Sequence, residues 1–253
     1  NNTHAEISIA ALNAGKHVLC EKPMALSAEE GRRMREAELK SGKKLMISHN
    51  QRFGEDIQAM RKFNQEGKYG DIYHVRLAWR RPMGLQPSPT TTRENGEVYD
   101  RNWFNEKDRG GGVLRDLGSH LLDLTMHILD FPELDGAYAS GYRKFHPPVS
   151  KEDEGKYKFD SEDMISGLIK MKNGVSIQLE VSFASPIDRE VLLTDIYGTK
   201  MGTRRIDGVR VIKVDNDTDS FTVESVDVTK MGFEPFRHPA HSFIDSVING
   251  KPV

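Results

Sequence analysis

The chain has 253 residues, 37% of them apolar and 29% charged, with 36 basic side chains against 38 acidic ones for a net charge of -2. That balance gives no general pull toward nucleic acid or anionic lipid, and no apolar run approaches the roughly 18–20 residues of a membrane-spanning helix. The single cysteine, Cys20, excludes an internal disulfide framework and fits a reducing, cytoplasmic compartment.

Thr3-His4-Ala5-Glu6 reads as a capping box opening a helix over 3–14. Ile7, Ala10, Ala11 and Ala14 follow at helical spacing, and Gly15 stops it. The chain opens a residue or two before this helix, with no signal peptide, and closes at Gly250-Lys251-Pro252-Val253 just after a helix-like run. Both ends are expected to continue in a longer protein. Lys16–Cys20 is a short buried strand with Glu21-Lys22-Pro23 at its carboxyl end, where the proline permits a cis bond. Ser27 opens an amphipathic helix to about Lys40, Lys44–Ser48 is a second strand, and Phe53 to about Glu66 a further helix. This alternation predicts parallel βα units.

From about Gly70 the texture changes. Asp71–Arg80 is a predicted strand, followed by a polar loop from Pro82 to about Arg109 and a helix over Val113–Leu129. Strand-like runs lie near 135–145, 162–172, 175–185, 189–197, 205–214 and 219–228. Asn173-Gly174 joins one pair as a hairpin. After it, Val175, Ile177, Leu179, Val181 and Phe183 face one way and Ser176, Gln178, Glu180 and Ser182 the other. The expected fold class is therefore α/β plus α+β, with a mostly antiparallel open sheet in the second part.

Two stretches carry chemistry. On the helix after Gly110-Gly111-Gly112, residues Asp116, His120, Asp123 and His127 fall within roughly 60° of one another. The rest of the circumference is largely apolar, so the helix is predicted to be buried. Two readings of this stripe stand. One is an acid/base pair facing a cleft, with Asp116 fixing the tautomer of His120. The other is a satisfied polar stripe against a neighbouring domain. The glycines either let backbone approach a ligand or form a loop tip. Lys22 sits where ligands bind in open α/β sheets, outside the carboxyl end of a strand. Desolvation there lowers a lysine toward acid/base duty, whereas pairing with Glu21 leaves it an ordinary loop lysine. Cys20 reads as a small buried apolar group.

Together these stretches resemble the Gfo/Idh/MocA family of NAD(P)-dependent oxidoreductases. The matching residues are Asn1-Asn2-Thr3-His4, Ala14–Pro23, Asn50-Gln51-Arg52-Phe53, Gly110–Asp123 and Phe243–Pro252. The resemblance implies that residues 1–50 are the C-terminal part of a Rossmann domain. Its glycine fingerprint, and the residue that separates NAD from NADP, lie outside this sequence. Residues 51–253 are then an α+β domain for substrate binding and oligomerisation. It further implies NAD or NADP as cofactor, held here by Asn1, His4, Glu21, Lys22, Asn50 and Arg52. Lys22, Asp116 and His120 form the implied catalytic group, with Trp103 on the substrate side. The implied substrate is a sugar, inositol or related polyol, and the open sheet is an implied homo-oligomer contact. The chain departs from the family pattern at His49, where many members carry Tyr, and at Gln51, where many carry Arg.

The expected reaction moves a hydride to or from the nicotinamide. His120 takes the hydroxyl proton and Lys22 stabilises the charge on the same oxygen. Three alternatives remain at this point: a non-catalytic sugar-sensing protein on the same fold, a metal site built from the stripe with His238 and His241, and a fragment that is inactive by itself because it cannot hold a dinucleotide.

Overall fold

The computed structural model describes residues 1–252 other than 148, 150, 216 and 234–237. The chain opens with helix α1, His4–Asn13, and strand β1, Val18–Glu21, then helix α2, Ala28–Ser41, and strand β2, Leu45–Ser48. β1 and β2 pair in parallel, Val18 opposite Leu45 and Glu21 opposite Ser48. Ser27 caps α2, its side chain accepting from the Glu30 amide, and Gly42 closes the helix in the left-handed region. A separate small core of Ala5, Leu12, Cys20, Met34, Ala37 and Leu45 holds this part together.

Two expectations for α1 need correction. The Thr3 side chain makes no capping bond. The inward face is Ala5, Ser8 and Leu12, while Ile7 is 63% exposed. Short apolar runs fix helix phase poorly, since alanine sits equally well on either face.

A short 3-10 turn, Asn50–Phe53, leads into helix α3, Glu55–Gln65. The large sheet then begins with strand β3, Ile72–Pro82. The loop beyond it contains a small hairpin that sequence reading missed, β4 Thr90–Thr92 with β5 Val98–Asp100. After it come a single-turn π-helix, Leu114–Gly118, and helix α4, Ser119–Ile128. The remaining strands are β6 Leu134–Tyr142, β7 Met164–Met171, β8 Ser176–Ser185, β9 Val191–Gly198, β10 Met201–Arg205, β11 Val209–Asp215 and β12 Ser220–Val226. Helix α5, Pro239–Asn249, follows and packs against β2.

These strands form one eight-stranded sheet in the order β12-β11-β10-β9-β3-β8-β7-β6. Every pairing is antiparallel except β3 with β8. The run predicted over 205–214 is two strands. Asp207 and Gly208 take positive φ and turn the chain between them, the conformations an Asp-Gly pair adopts at low cost. The predicted inward set on β8 and its lead-in is buried, but Ser182 is buried too. Its hydroxyl donates to the Ala184 carbonyl and accepts from the Ala184 amide, so its polarity is met locally.

One face of the sheet carries the main core. Val75 and Leu77 of β3, Ile177 and Val181 of β8 and Ile196 of β9 pack under Ile57, Met60 and Phe63 of α3 and Leu117, Leu121 and Leu124. The opposite face is open. A cross-strand row runs over it through Tyr138, Leu168, Gln178, Arg76, Asp195, Arg204 and Arg210. Tyr138 is 80% exposed at one end. Among the described residues no helix is long and apolar enough to cross a membrane.

Candidate active site

The polar stripe after the glycines is met by a row of cations, of which Lys22 comes from the first part of the chain. Lys22, one residue past β1, donates from Nζ to Asp116 Oδ1 at 2.7 Å and to the Asp116 carbonyl at 3.1 Å. Both side chains are largely covered, 15% and 17% exposed. Two turns further on, the Arg52 guanidinium grips both oxygens of Asp123, through Nε at 2.7 Å and through Nη2. His49 Nε2 stands 3.6 Å from Asp123 Oδ1. At the end of α4, Arg61 meets His127 Nδ1 at 3.1 Å and also its carbonyl.

His120 is the member of the stripe left over. Its Nδ1 is buried with no hydrogen-bond partner among the described residues. The expectation that Asp116 orients His120 is therefore corrected: the carboxylate holds Lys22 instead. The reason lies in the helix. Asp116 sits in the π-helical turn Leu114–Gly118, where the regular 3.6-residue spacing does not hold, and His120 lies beyond it in regular α-helix.

Burial sets the charge state of the imidazoles. His120 is lowered to about 4, first by burial and next by the Lys22 charge, with Asp116 opposing. His127 is also lowered to about 4, by burial and then by Arg61. Burial lowers His49 as well, with Asp123 opposing. At neutral pH His120 is a neutral imidazole able to accept a proton.

The three glycines serve close packing within the chain. A Cβ on Gly111 would stand 2.5 Å from the Phe104 carbonyl oxygen and 2.6 Å from that of Trp103. One on Gly110 would meet Leu26 and Asn1, and one on Gly112 would meet Glu162. Asn1 Nδ2 donates to the Gly110 carbonyl at 2.7 Å, so the N-terminal turn and the glycine loop are locked together.

The other predicted residues are placed as follows. His4 Nδ1 lies 2.7 Å from the Pro23 carbonyl, bracing the Lys22-Pro23 turn, whose peptide bond is cis. Glu21 and Asn50 are exposed at the carboxyl ends of β1 and β2. Arg52, expected beside the cofactor, has its guanidinium on Asp123. Trp103 stacks on Phe104, ring centroids 3.6 Å apart. The indole against His120 belongs to Trp79 of β3, at 5.8 Å between centroids. Sequence reading missed it because a tryptophan at an inward position of a strand looks like core.

Residue types at the alternative metal site do not converge. Among the described residues no group of three or more His, Cys, Asp or Glu is placed to hold a metal ion. His238 instead caps α5, accepting from the Ala240 amide at 3.2 Å. Cys20 is buried, with its thiol raised by that burial, in line with a packing role.

Comparison with known proteins decides the family. Residues 57–204 match the GFO/IDH/MocA C-terminal domain, and residues 1–49 match the oxidoreductase family NAD-binding Rossmann fold. The chain belongs to the Gfo/Idh/MocA family. Among curated relatives, D-glucoside 3-dehydrogenase of Escherichia coli (strain K12) is 30% identical over 259 residues, covering 100% of this chain and 68% of that protein. The scyllo-inositol 2-dehydrogenase (NADP(+)) IolW of Bacillus subtilis (strain 168) is 35% identical over 130 residues, 51% of this chain and 33% of that one. Among solved structures, levoglucosan dehydrogenase in complex with NADH superposes with a TM-score of 0.79 at 22% identity, over 100% of this chain and 70% of the other. The fold is thus that of a Rossmann-type oxidoreductase with an attached mixed sheet.

The polar atoms of this Gfo/Idh/MocA chain suit the nicotinamide end of a dinucleotide. His120 Nδ1, His49 Nδ1 and Gln51 Oε1 are all buried without partners, which is uncommon unless something from outside completes them. His49 directly follows β2, as Lys22 does β1, at the carboxyl edge where open α/β sheets take ligands. His49 and Gln51 are the positions where the chain departs from the family pattern.

Proposed function

We propose that the full-length protein transfers a hydride between NAD or NADP and a secondary alcohol of a sugar, inositol or related polyol. The observation that carries this reading is the Lys22–Asp116 pair beside a neutral, unpartnered His120, where the two parts of the chain meet. Residues 1–50 form the C-terminal part of the dinucleotide-binding domain and residues 51–253 the substrate and oligomer domain. Asn1, His4, Glu21, Lys22 and Asn50 build the cofactor side, with Arg52 acting through Asp123. A bound nicotinamide ring supplies the hydride acceptor. His120 accepts the substrate hydroxyl proton, and the Lys22 ammonium donates a hydrogen bond to the same oxygen as negative charge develops. Asp116 holds Lys22 at its post. Trp103, carried on the turn that packs over Gly111, lines the substrate side.

The names of the relatives support a sugar or cyclitol substrate, and Tyr138 and Leu168 on the open sheet support self-association through that face. A cytoplasmic location accords with the lone thiol and the nicotinamide chemistry. The test is cofactor reduction by the full-length protein across a polyol panel. His120→Ala is expected to lower turnover by about 10²–10⁴, and unchanged turnover would remove His120 from the mechanism. Sugar binding with no cofactor reduction by any panel member would favour a sensing role instead.

A further inference from the structure

We infer that the substrate extends past the reacting ring into a neutral second subsite, with Trp79 as the wall between the two. This rests on the hydride-transfer reading above. Trp79 lies on the helix-covered face of β3, opposite Val181 and Leu192 in the neighbouring strands. Its indole meets His120 on one side. Trp79 also lines a cavity of about 470 Å³ bounded by Asp56, Arg189, Glu190, Arg205 and Asp207, to which neither Lys22, Asp116 nor His120 contributes. A single ring reacting at His120 has no need of that space.

The indole is held in place. Nε1 donates to Glu190 Oε1 at 2.7 Å, and Arg81 Nε donates to the same oxygen at 3.1 Å. The Arg81 guanidinium also covers the ring at 5.3 Å from its centroid. A tryptophan fixed by a hydrogen bond and a cation presents a rigid aromatic face, the kind of surface that takes the C–H side of a sugar ring. On the far wall, Arg205 uses Nε on Asp56, while its Nη1 is buried without a partner among the described residues. That N–H calls for an acceptor oxygen.

Charge decides the class of the occupant. Three carboxylates and two guanidiniums line the space and a third guanidinium, Arg81, sits on Glu190, so the charges balance and leave no net positive charge to attract a phosphate or uronate. Hydroxyls, which both donate and accept, match this mixture of carboxylates and guanidiniums. The occupant is therefore an uncharged glycosyl or polyol substituent.

The test measures kcat/KM of the full-length enzyme for D-glucose, methyl glucoside, cellobiose and a glucuronide. The wild type is expected to favour cellobiose over D-glucose, and Trp79→Ala to lower that ratio roughly tenfold. Trp79→Phe, which keeps a ring, is expected to restore part of it. Equal losses on both sugars in Trp79→Ala overturn the subsite while leaving hydride transfer standing, as does a wild-type preference for the glucuronide. Turnover of none of these sugars counts against the reaction itself. The subsite is then judged by Trp79 emission in a Trp103→Phe background. Cellobiose has to perturb that emission more than D-glucose does, and an unperturbed signal overturns the subsite.

Discussion

Replacing Lys22 with Met in the full-length enzyme removes the ammonium while keeping most of the side-chain stem. Two hydrogen bonds are lost, at 2.7 and 3.1 Å, and the Asp116 carboxylate stays behind with 17% exposure. Removing one partner of a fully buried ion pair costs about 3–5 kcal/mol. Partial access of water to Asp116 brings this to about 2–3 kcal/mol, or a fall in Tm of roughly 5–10 °C at about 2–4 °C per kcal/mol. Asp116→Asn keeps an acceptor for the lysine and should cost only about 1 kcal/mol. Activity separates further. Lys22→Met is expected to lower kcat by about 10²–10³, the loss seen when a donor to developing negative charge is removed.

The pH profile gives an independent readout of the same pair. The Lys22 charge lowers His120 and the Asp116 charge raises it. Lys22→Met should therefore move the acid limb of kcat/KM to higher pH, still short of the ordinary histidine value because burial is the larger cause. Asp116→Asn should move it to lower pH. Initial rates of nicotinamide reduction across pH, with melting curves on the same samples, test this. Limbs moving in the same direction in both variants, or full turnover in Lys22→Met, would refute the reasoning.

Three further outcomes follow from the geometry. His120 and His127 are lowered to about 4 in the folded chain, so the unfolded chain binds more protons between that value and about 6.5. Stability is then fully present above about 6.5 and falls as pH drops toward 4, by about 2 kcal/mol per histidine after allowing for residual solvent access. Urea titrations of His120→Gln and His127→Gln should show a flatter acid slope. Arg52→Ala leaves the mostly buried Asp123 facing His49 without its guanidinium partner and should cost about 2–4 kcal/mol. It should also raise the His49 titration followed by NMR, since the Arg52 charge lowers it. Gly111→Ala drives a methyl into two backbone carbonyls and should cost about 1–3 kcal/mol, whereas Gly136→Ala, with open space around it, should cost far less in the same melting assay.

Much of the framework was legible in the sequence because it depends on short-range rules. The βα alternation, the Ser27 cap, the Asn173-Gly174 hairpin and the inward set from Val175 to Phe183 follow from periodicity and local hydrogen bonding. The Lys22 and Asp116–His120 stretches were visible as residue types out of place, a lysine at a strand end and acids with imidazoles on an apolar helix. Sequence reading failed where a choice is made at long range. Nothing in the spacing shows that Asp116 reaches Lys22, 94 positions away, or that Arg52 turns to Asp123. A π-helical turn shifts the face of Asp116, and helix periodicity cannot announce it.

By itself the sequence determined most of the elements that form and which side chains are chemically suited to proton transfer, since backbone propensity and residue type act locally. Only the tertiary structure decided the pairing of those side chains, the isolation of His120 and the placement of Trp79 beside it. Those outcomes depend on which strand ends meet which helix face, and that is set by packing the apolar surfaces of the whole chain at once.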